Sequence, residues 1–163
     1  MNIIKECRQG YPDIIKAIFS KENKYTKGEQ TFLYTFEKAK GKYIALCEGD
    51  DYWIDENKLQ MQVDYMEANP NCTFCFHNAY VLYMKHKKKV KFITNKPKFK
   101  KNMNKDGNYG PGDIHLIGCG MIPTASFFFR SEYVSKIPDW FKKCFCGDMP
   151  LKLIMTSFGY AHY

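Results

Sequence analysis

The chain has 163 residues, which fits one domain with a sizeable core, and it has no run of about 18 apolar residues that would predict a transmembrane helix. Its 45% hydrophobic and 17% aromatic content excludes a disordered protein. The net charge is +8, but ten lysines lie between Lys85 and Lys105. This local block favours anions or forms a solvated hairpin and loop, and it argues against a general nucleic-acid-binding surface.

The first forty residues predict two helices around one strand. Residues 2–9 have the pattern of a helix, and residues 14–19 are a short β-rich run that predicts a strand. Between residues 29 and 40, apolar side chains recur at three- and four-residue spacing, which indicates an amphipathic helix. Gly41 follows at the place of a C-terminal helix cap.

The rest of the chain continues the alternation of an α/β domain. A continuous apolar run over 43–47 predicts a strand buried on both faces, and a helix follows around 57–69. Residues 95–113 are rich in lysine, asparagine and glycine and predict a long loop. Further strands are predicted over 72–84, 90–94 and 124–130, with helices over 131–137 and 148–157 and the start of a last strand at 160–163.

The cysteines predict reduced thiols. There are seven, an odd number without a repeating spacing, so we expect a cytoplasmic protein rather than a disulfide framework. Cys72 and Cys75 have the spacing of a zinc or redox pair, with Cys144 and Cys146 as partners. However, residues three apart on a strand point to opposite faces, which argues against a shared ion.

An acidic loop follows the predicted strand at 43–47. Glu48, Asp50 and Asp51 lie within four residues, and Gly49 allows a close approach of the backbone. Open α/β sheets place ligands at this end of a strand, and hard oxygen ligands suit Mg²⁺ or Mn²⁺. The alternative is an acidic turn that caps the next helix, with Asp51 or Asp55 near its N-terminus.

Five motifs in consistent order resemble family 2 glycosyltransferases of the GT-A fold. The central one is residues 39–53, ending in Glu48-Gly49-Asp50-Asp51-Tyr52-Trp53. The others are Glu22-Asn23-x-x-x-x-Lys27-Gly28, Lys58-Leu59-Gln60-x-Gln62-Val63, Pro123-Thr124-Ala125-Ser126 with Phe129-Arg130, and Gly147-Asp148-x-Pro150-Leu151. The resemblance implies a GT-A-like (Rossmann-like) mixed sheet flanked by helices. It implies a single domain over 1–163, with a metal and nucleotide-sugar half at 1–70 and an acceptor half at 71–163.

The same resemblance assigns roles on the donor side. Asp50 is the expected ligand of Mn²⁺ or Mg²⁺, and Glu48 occupies the first acidic position, where the family more often has aspartate. Asp51, Lys27 and Trp53 are expected to bind the donor, although Trp53 has the alternative of packing under the loop. The metal would neutralise the charge that builds up on the departing nucleoside diphosphate.

On the acceptor side, Asp148 resembles the catalytic base of inverting members, which removes a proton from the attacking hydroxyl. Its alternative is an N-cap for the last helix, a role that Pro150 supports. Thr124, Ser126 and Arg130 are expected to line the acceptor site, and ordinary strand polarity is the alternative for all three.

The resemblance also predicts an incomplete domain. It places Met1 inside the helix after the family's first strand, so the first β-α-β elements are expected to be missing and the strand at 14–19 to lack a neighbour. The expected function is sugar transfer from a nucleotide-sugar donor to a glycan or lipid-linked acceptor, in polysaccharide biosynthesis, in the cytoplasm or at the inner face of the membrane. The alternatives are a non-catalytic domain that binds an anionic membrane or nucleic acid through Lys85–Lys105, and a chain that works with a partner supplying the missing strands.

Overall fold

The structure, a computed structural model, is built on a five-stranded mixed sheet with helices on both faces; it describes residues 2–20, 31–93, 107–144 and 146–163. The helices are α1 (Asn2–Gly10), α2 (Thr31–Phe36), α3 (Lys58–Ala68), α4 (Pro111–Ile117) and α5 (Asp148–Thr156). The strands are β1 (Tyr43–Ala45), β2 (Cys72–Cys75), β3 (Tyr80–Tyr83), β4 (Lys88–Lys91), β5 (Asn108–Tyr109), β6 (Phe128–Arg130) and β7 (Tyr160–His162). Short 3-10 helices lie at Thr124–Ser126, Ser131–Lys136 and Asp139–Lys143.

The strand order of the sheet is β1-β6-β2-β7-β5. The β2–β7 pair is parallel, and the other three pairs are antiparallel. Strand β2 lies in the middle and is buried throughout, which explains its short apolar sequence. Strands β3 and β4 form a separate antiparallel hairpin that carries the described part of the lysine block.

The two faces of the sheet carry separate apolar clusters, because successive strand residues point in opposite directions. On one face, Phe128 packs with Met66 of α3 and with the two cysteines of β2. On the other face, Phe129 packs with residues of α2, α4 and α5, including Phe36 and Met155. This arrangement confirms the expected mixed sheet flanked by helices, and the antiparallel pairing places the end of β1 beside the start of β6.

Several predicted elements are confirmed. Helices α1, α3 and α5 lie where the periodicity places them, and the residues at 160–162 form β7. Helix α2 buries Phe36 as expected but ends there, so Gly41 is not its cap. Strand β1 is predicted correctly, but only Ile44 of it is buried, since it pairs with β6 alone among the described strands.

The predicted strand at 14–19 is wrong. The segment is a turn followed by irregular chain, and Ile14, Ile18 and Phe19 are exposed. A strand needs a neighbour to accept and donate its backbone hydrogen bonds, and no described strand lies beside this segment. A run of residues with high β-propensity was therefore not sufficient to form a strand at 14–19.

Other boundaries differ because tertiary contacts interrupt the local pattern. The run at 72–84 divides into β2 and β3, with Asn78 between them accepting hydrogen bonds from the Ala79 and Ile93 backbone amides at 3.0 and 2.8 Å. The start of the predicted strand at 124–130 and the predicted helix at 131–137 are 3-10 turns. Helix α4 begins in the last residues of the predicted loop, where the Asp113 carboxylate accepts a hydrogen bond from the Gly110 amide at 2.9 Å and Pro111 occupies the first turn.

The geometric argument against a shared site at Cys72 and Cys75 is also wrong. Their sulfurs lie 3.6 Å apart on the same face of the sheet. The pairing of β2 with β7 shifts register between Cys72 and Phe74, and such an irregularity changes the side-chain alternation. Both thiols are buried in the apolar cluster that also contains Phe128 and Met66 of α3.

Candidate active site

The acidic loop leaves the end of β1 and turns back at once. The Leu46 amide donates to the Phe127 carbonyl at 3.0 Å, which anchors the loop to the segment before β6. The Asp51 amide then donates to the Glu48 carbonyl at 3.1 Å, closing a tight turn. A side chain at Gly49 would meet no atom within 4 Å. The three acidic side chains therefore lie on an open, exposed surface.

Within this loop, the pKa of Glu48 is shifted by its surroundings. Burial raises the pKa of Glu48, and the charges of Asp51 and Asp50 raise it further. The Thr124 side chain opposes this shift as a hydrogen-bond partner, and Asp148 adds a smaller increase. The charges of the acidic loop and of Asp148 therefore both act on the Glu48 carboxylate, although Asp148 is about 100 positions away in the chain.

Trp53 connects the acidic loop to the segment that precedes β6. Its indole N–H donates to the Ala125 carbonyl at 2.9 Å, and the ammonium group of Lys58 lies 4.1 Å from the centre of its ring. The Trp53 side chain remains 38% exposed. The packing role is therefore present, and the predicted donor-binding role stays a prediction.

Lys58 is a buried lysine beside the acidic loop, and the sequence did not predict its burial. It is 7% exposed, and its Nζ has no hydrogen-bond partner among the described residues. Burial lowers the pKa of Lys58 to about 8, an effect that the nearby Cys47 opposes. The family motif includes Lys58-Leu59, but the burial of the Lys58 side chain and the lack of a hydrogen-bond partner for its Nζ depend on the fold.

Asp148 is the first residue of α5, and the N-cap position belongs to Gly147. The Asp148 side chain is 15% exposed, and its Oδ2 lies 3.3 Å from Nζ of the fully buried Lys152. Its Oδ1 accepts a hydrogen bond from the Cys146 thiol at 2.5 Å. Burial alone would raise the pKa of Asp148, but Cys146 and Lys152 outweigh it, so the pKa is lowered and the carboxylate is held in its charged form.

The three predicted acceptor residues have different surroundings. Thr124 is half-buried and interacts with Glu48. Ser126 is fully buried, and its hydroxyl donates to the Pro123 carbonyl at 2.7 Å. Arg130 is 7% exposed, and its guanidinium donates to the backbone carbonyls of Cys72 at 2.9 Å and Met66 at 2.7 Å. The geometry supports a structural role for Ser126 and Arg130, and their acceptor-binding roles stay predictions.

Two predicted regions are only partly described. Lys27 lies outside the described residues, as do residues 94–106 of the lysine block. The remaining lysines of the block lie on the exposed β3–β4 hairpin and the 3-10 helix at Met84–His86. A cleft between α2 and Ser131–Lys142 contains none of the predicted site residues.

The acidic loop fits a divalent cation as a partial ligand set. Its carboxylates are hard donors, and the repulsion that raises the pKa of Glu48 would be relieved by a cation. Within the part of the chain that is described, the loop does not bring three ligand atoms within 4.8 Å of one another. This suits an ion such as Mg²⁺, which keeps several waters and takes substrate phosphates as further ligands.

The order of β1, acidic loop, α3 and the segment before β6 agrees with a known family. The model of the family described as "Glycosyl transferase family 2" matches residues 2–125. The chain belongs to glycosyl transferase family 2. The mixed sheet flanked by helices is accordingly a GT-A-like fold, and glycosyl transfer is the general activity of the family.

The curated relatives are mycobacterial. The uncharacterized protein Rv1520 of Mycobacterium tuberculosis and the uncharacterized protein Mb1547 of Mycobacterium bovis are each 41% identical to this chain over 81 residues. The matched segment covers 50% of this chain but 23% of each relative, so the chain spans a minor part of their length. No solved structure matches the chain significantly. No helix among the described residues has the length and apolar character needed to cross a membrane.

Proposed function

We propose that the chain transfers a sugar from a nucleotide-sugar donor to a hydroxyl of a glycan or lipid-linked acceptor, in a single inverting displacement. The observation that carries this proposal is the 2.9 Å hydrogen bond from Trp53 to the Ala125 carbonyl, because it joins the donor-side loop to the segment before β6; the charge of Asp148 also raises the pKa of Glu48. The setting is polysaccharide biosynthesis on the cytoplasmic side of the membrane. The mycobacterial relatives are uncharacterized, so donor and acceptor are part of the proposal.

On the donor side, Asp50 and Glu48 would hold Mn²⁺ or Mg²⁺, and Asp51 and Trp53 would contact the donor. When bound, the cation supplies positive charge to the leaving diphosphate. All three carboxylates of the loop are exposed, so each is accessible to a cation from solvent. The indole of Trp53, anchored through Ala125, fixes the position of the loop against the acceptor side.

On the acceptor side, Asp148 accepts the proton of the attacking hydroxyl. A general base must be ionised to act, and the Cys146 thiol and Lys152 ammonium keep this carboxylate charged. Lys152 is fully buried behind the carboxylate, so its contact with Oδ2 orients the side chain. Oδ1, which lies on the side of the exposed Cys146, is the oxygen available to the acceptor.

The test of this role is donor turnover by Asp148→Asn. We expect its rate of nucleoside diphosphate release from the accepted nucleotide sugar to fall by about 10²–10⁴-fold with an unchanged KM for the donor, because asparagine keeps the shape of the side chain but cannot accept the proton. Circular dichroism checks that the variant stays folded without the ion pair to the buried Lys152. Asp139→Asn is the matched control, since Asp139 is an exposed aspartate that pairs with Lys142 at 2.9 Å. A rate for Asp148→Asn within a few-fold of the control would exclude Asp148 as the base.

A further inference from the structure

Two thiols and one carboxylate converge beside the first turn of α5. Cys119 Sγ lies 3.8 Å from Cys146 Sγ. Asp148 Oδ1 lies 2.5 Å from Cys146 Sγ and 3.9 Å from Cys119 Sγ. Among the residues that the structure describes, this is the group in which three candidate metal ligands lie within 4.8 Å of one another.

The fold presents these side chains from two segments that are distant in sequence. Cys119 lies in the turn after α4, between Gly118 and Gly120, whose φ angles are +91° and +65°. Residues other than glycine rarely adopt these angles, so the two glycines set the turn that brings Cys119 towards α5. Cys146 and Asp148 stand two residues apart at the start of α5. Both thiols are exposed, which gives an ion a path from solvent.

The separations suit a tetrahedral ion better than a disulfide. Zn–S bonds of about 2.3 Å in tetrahedral geometry place two sulfurs about 3.8 Å apart, and the two thiols already have that separation. A disulfide would need the sulfurs to approach to about 2.05 Å. The Asp148 oxygen would move away from Cys146 and towards Cys119 to become equidistant. Thiolate ligands select Zn²⁺ over Mg²⁺ and Mn²⁺, so this ligand set differs in chemistry from the acidic loop.

We infer that Cys119, Cys146 and Asp148 form a binding site for Zn²⁺, with the fourth position open to solvent. Binding releases the thiol protons to solvent and replaces the Cys146–Asp148 hydrogen bond with two bonds to the ion. Lys152 keeps its contact with Oδ2, so Oδ1 is the ligand oxygen. Because Oδ1 is also the oxygen proposed to accept a proton, bound Zn²⁺ inhibits transfer; this consequence rests on the proposed function, whereas binding itself does not.

The test uses the full chain, reduced and freed of metal by a chelator, with Co²⁺ as a spectroscopic probe. We expect one equivalent of Co²⁺ to produce thiolate-to-cobalt charge-transfer absorption and the visible bands of a tetrahedral ion, and Zn²⁺ to abolish both. Cys119→Ser and Cys146→Ser should each reduce the charge-transfer absorption to about half or less, because one of two Co–S bonds is lost. The double variant should lose it completely.

The controls separate this site from the other thiols and from the acidic loop. Cys7→Ser and Cys144→Ser should keep the full cobalt spectrum, and so should Asp50→Asn. The last variant makes failure of the zinc site distinguishable from failure of the proposed function. Circular dichroism checks that each variant is folded, which is expected because both ligand thiols are exposed. Absorption that survives in the double variant, or a reduced protein that gives no thiolate absorption, would overturn the inference.

Discussion

Arg130 gives the sharpest stability prediction, because its guanidinium connects three parts of the fold. From β6 it donates to the Cys72 carbonyl at the start of β2 and to the Met66 carbonyl in the last turn of α3. A weaker contact reaches the Asn69 carbonyl at 3.4 Å, and another reaches the Tyr43 hydroxyl at 3.3 Å. The side chain therefore satisfies carbonyls at the C-terminal end of α3, where a cation is also favoured by the helix dipole.

The perturbation is Arg130→Met, which keeps the aliphatic stem and removes every donor. Two well-formed hydrogen bonds from a charged group contribute about 1.5 kcal/mol each at the low end of their range, so we expect a loss of about 3 kcal/mol in the free energy of unfolding. For a chain of this length, that loss lowers Tm by about 6–12 °C. The assay is urea unfolding followed by circular dichroism, with an unchanged m-value expected.

The matched control is Lys142→Met. Lys142 pairs with Asp139 at 2.9 Å, but the two side chains are 65% and 96% exposed. Exposed pairs contribute little to stability because solvent screens them, so this variant should unfold close to the wild type. A change for Arg130→Met no larger than that of the control would refute the structural role and return Arg130 to the acceptor site.

Two further predictions concern close packing and a buried charge. In Gly159→Ala, an added Cβ would lie 2.1 Å from the Asn71 carbonyl oxygen, so we expect a loss of about 1–3 kcal/mol in urea unfolding; Gly112→Ala, which meets nothing within 4 Å, should not be destabilised. For Lys58, the folded pKa of about 8 lies below the ordinary value of 10.5, so the unfolded chain holds the proton more tightly between these pH values. Stability therefore rises with pH in this window, and from pH 7 to 9.5 wild type should gain about 2 kcal/mol relative to Lys58→Met.

These two predictions have distinct refutations. If Gly159→Ala unfolds at the same urea concentration as Gly112→Ala, the close approach of Gly159 to the Asn71 backbone is incorrect. If the difference in unfolding free energy between wild type and Lys58→Met does not change with pH, then Lys58 is not buried without a partner in the native protein.

Local patterns predicted those elements whose formation depends on their own residues. The spacing of apolar side chains located α3, and the continuous apolar run located β1. The burial within them differs from the pattern, since α3 buries Lys58 and Gln62 with Met66. The strand at 14–19 did not form because a strand needs a paired neighbour, which the family resemblance predicted to be missing. Helix α4 had a readable signal in Pro111 at its first position and in Asp113, which accepts from the Gly110 amide, but the lysine and glycine content of the region obscured it.

The site followed the same division. The acidic loop and Asp148 were found through motifs, since the chemistry of each lies in a few consecutive residues. The convergence of Cys119 with Cys146 depends on how α4 and α5 pack, and the buried state of Lys58 depends on the packing around Trp53. Neither is encoded at any fixed spacing, so sequence reasoning had no means of finding them.

The central claim is that the acidic loop binds a nucleotide-sugar donor together with a divalent cation. The most direct measurement is the thermal stability of the chain with UDP, GDP, TDP or CMP, each with and without Mn²⁺, in wild type, Asp50→Asn and the surface control Asp64→Asn. A ligand that binds the native state raises its stability by mass action. We predict a Mn²⁺-dependent rise in Tm with one nucleotide class, retained in Asp64→Asn and lost in Asp50→Asn. Cooperative melting with no nucleotide-dependent shift would contradict the account and favour binding of anions through Lys85–Lys105.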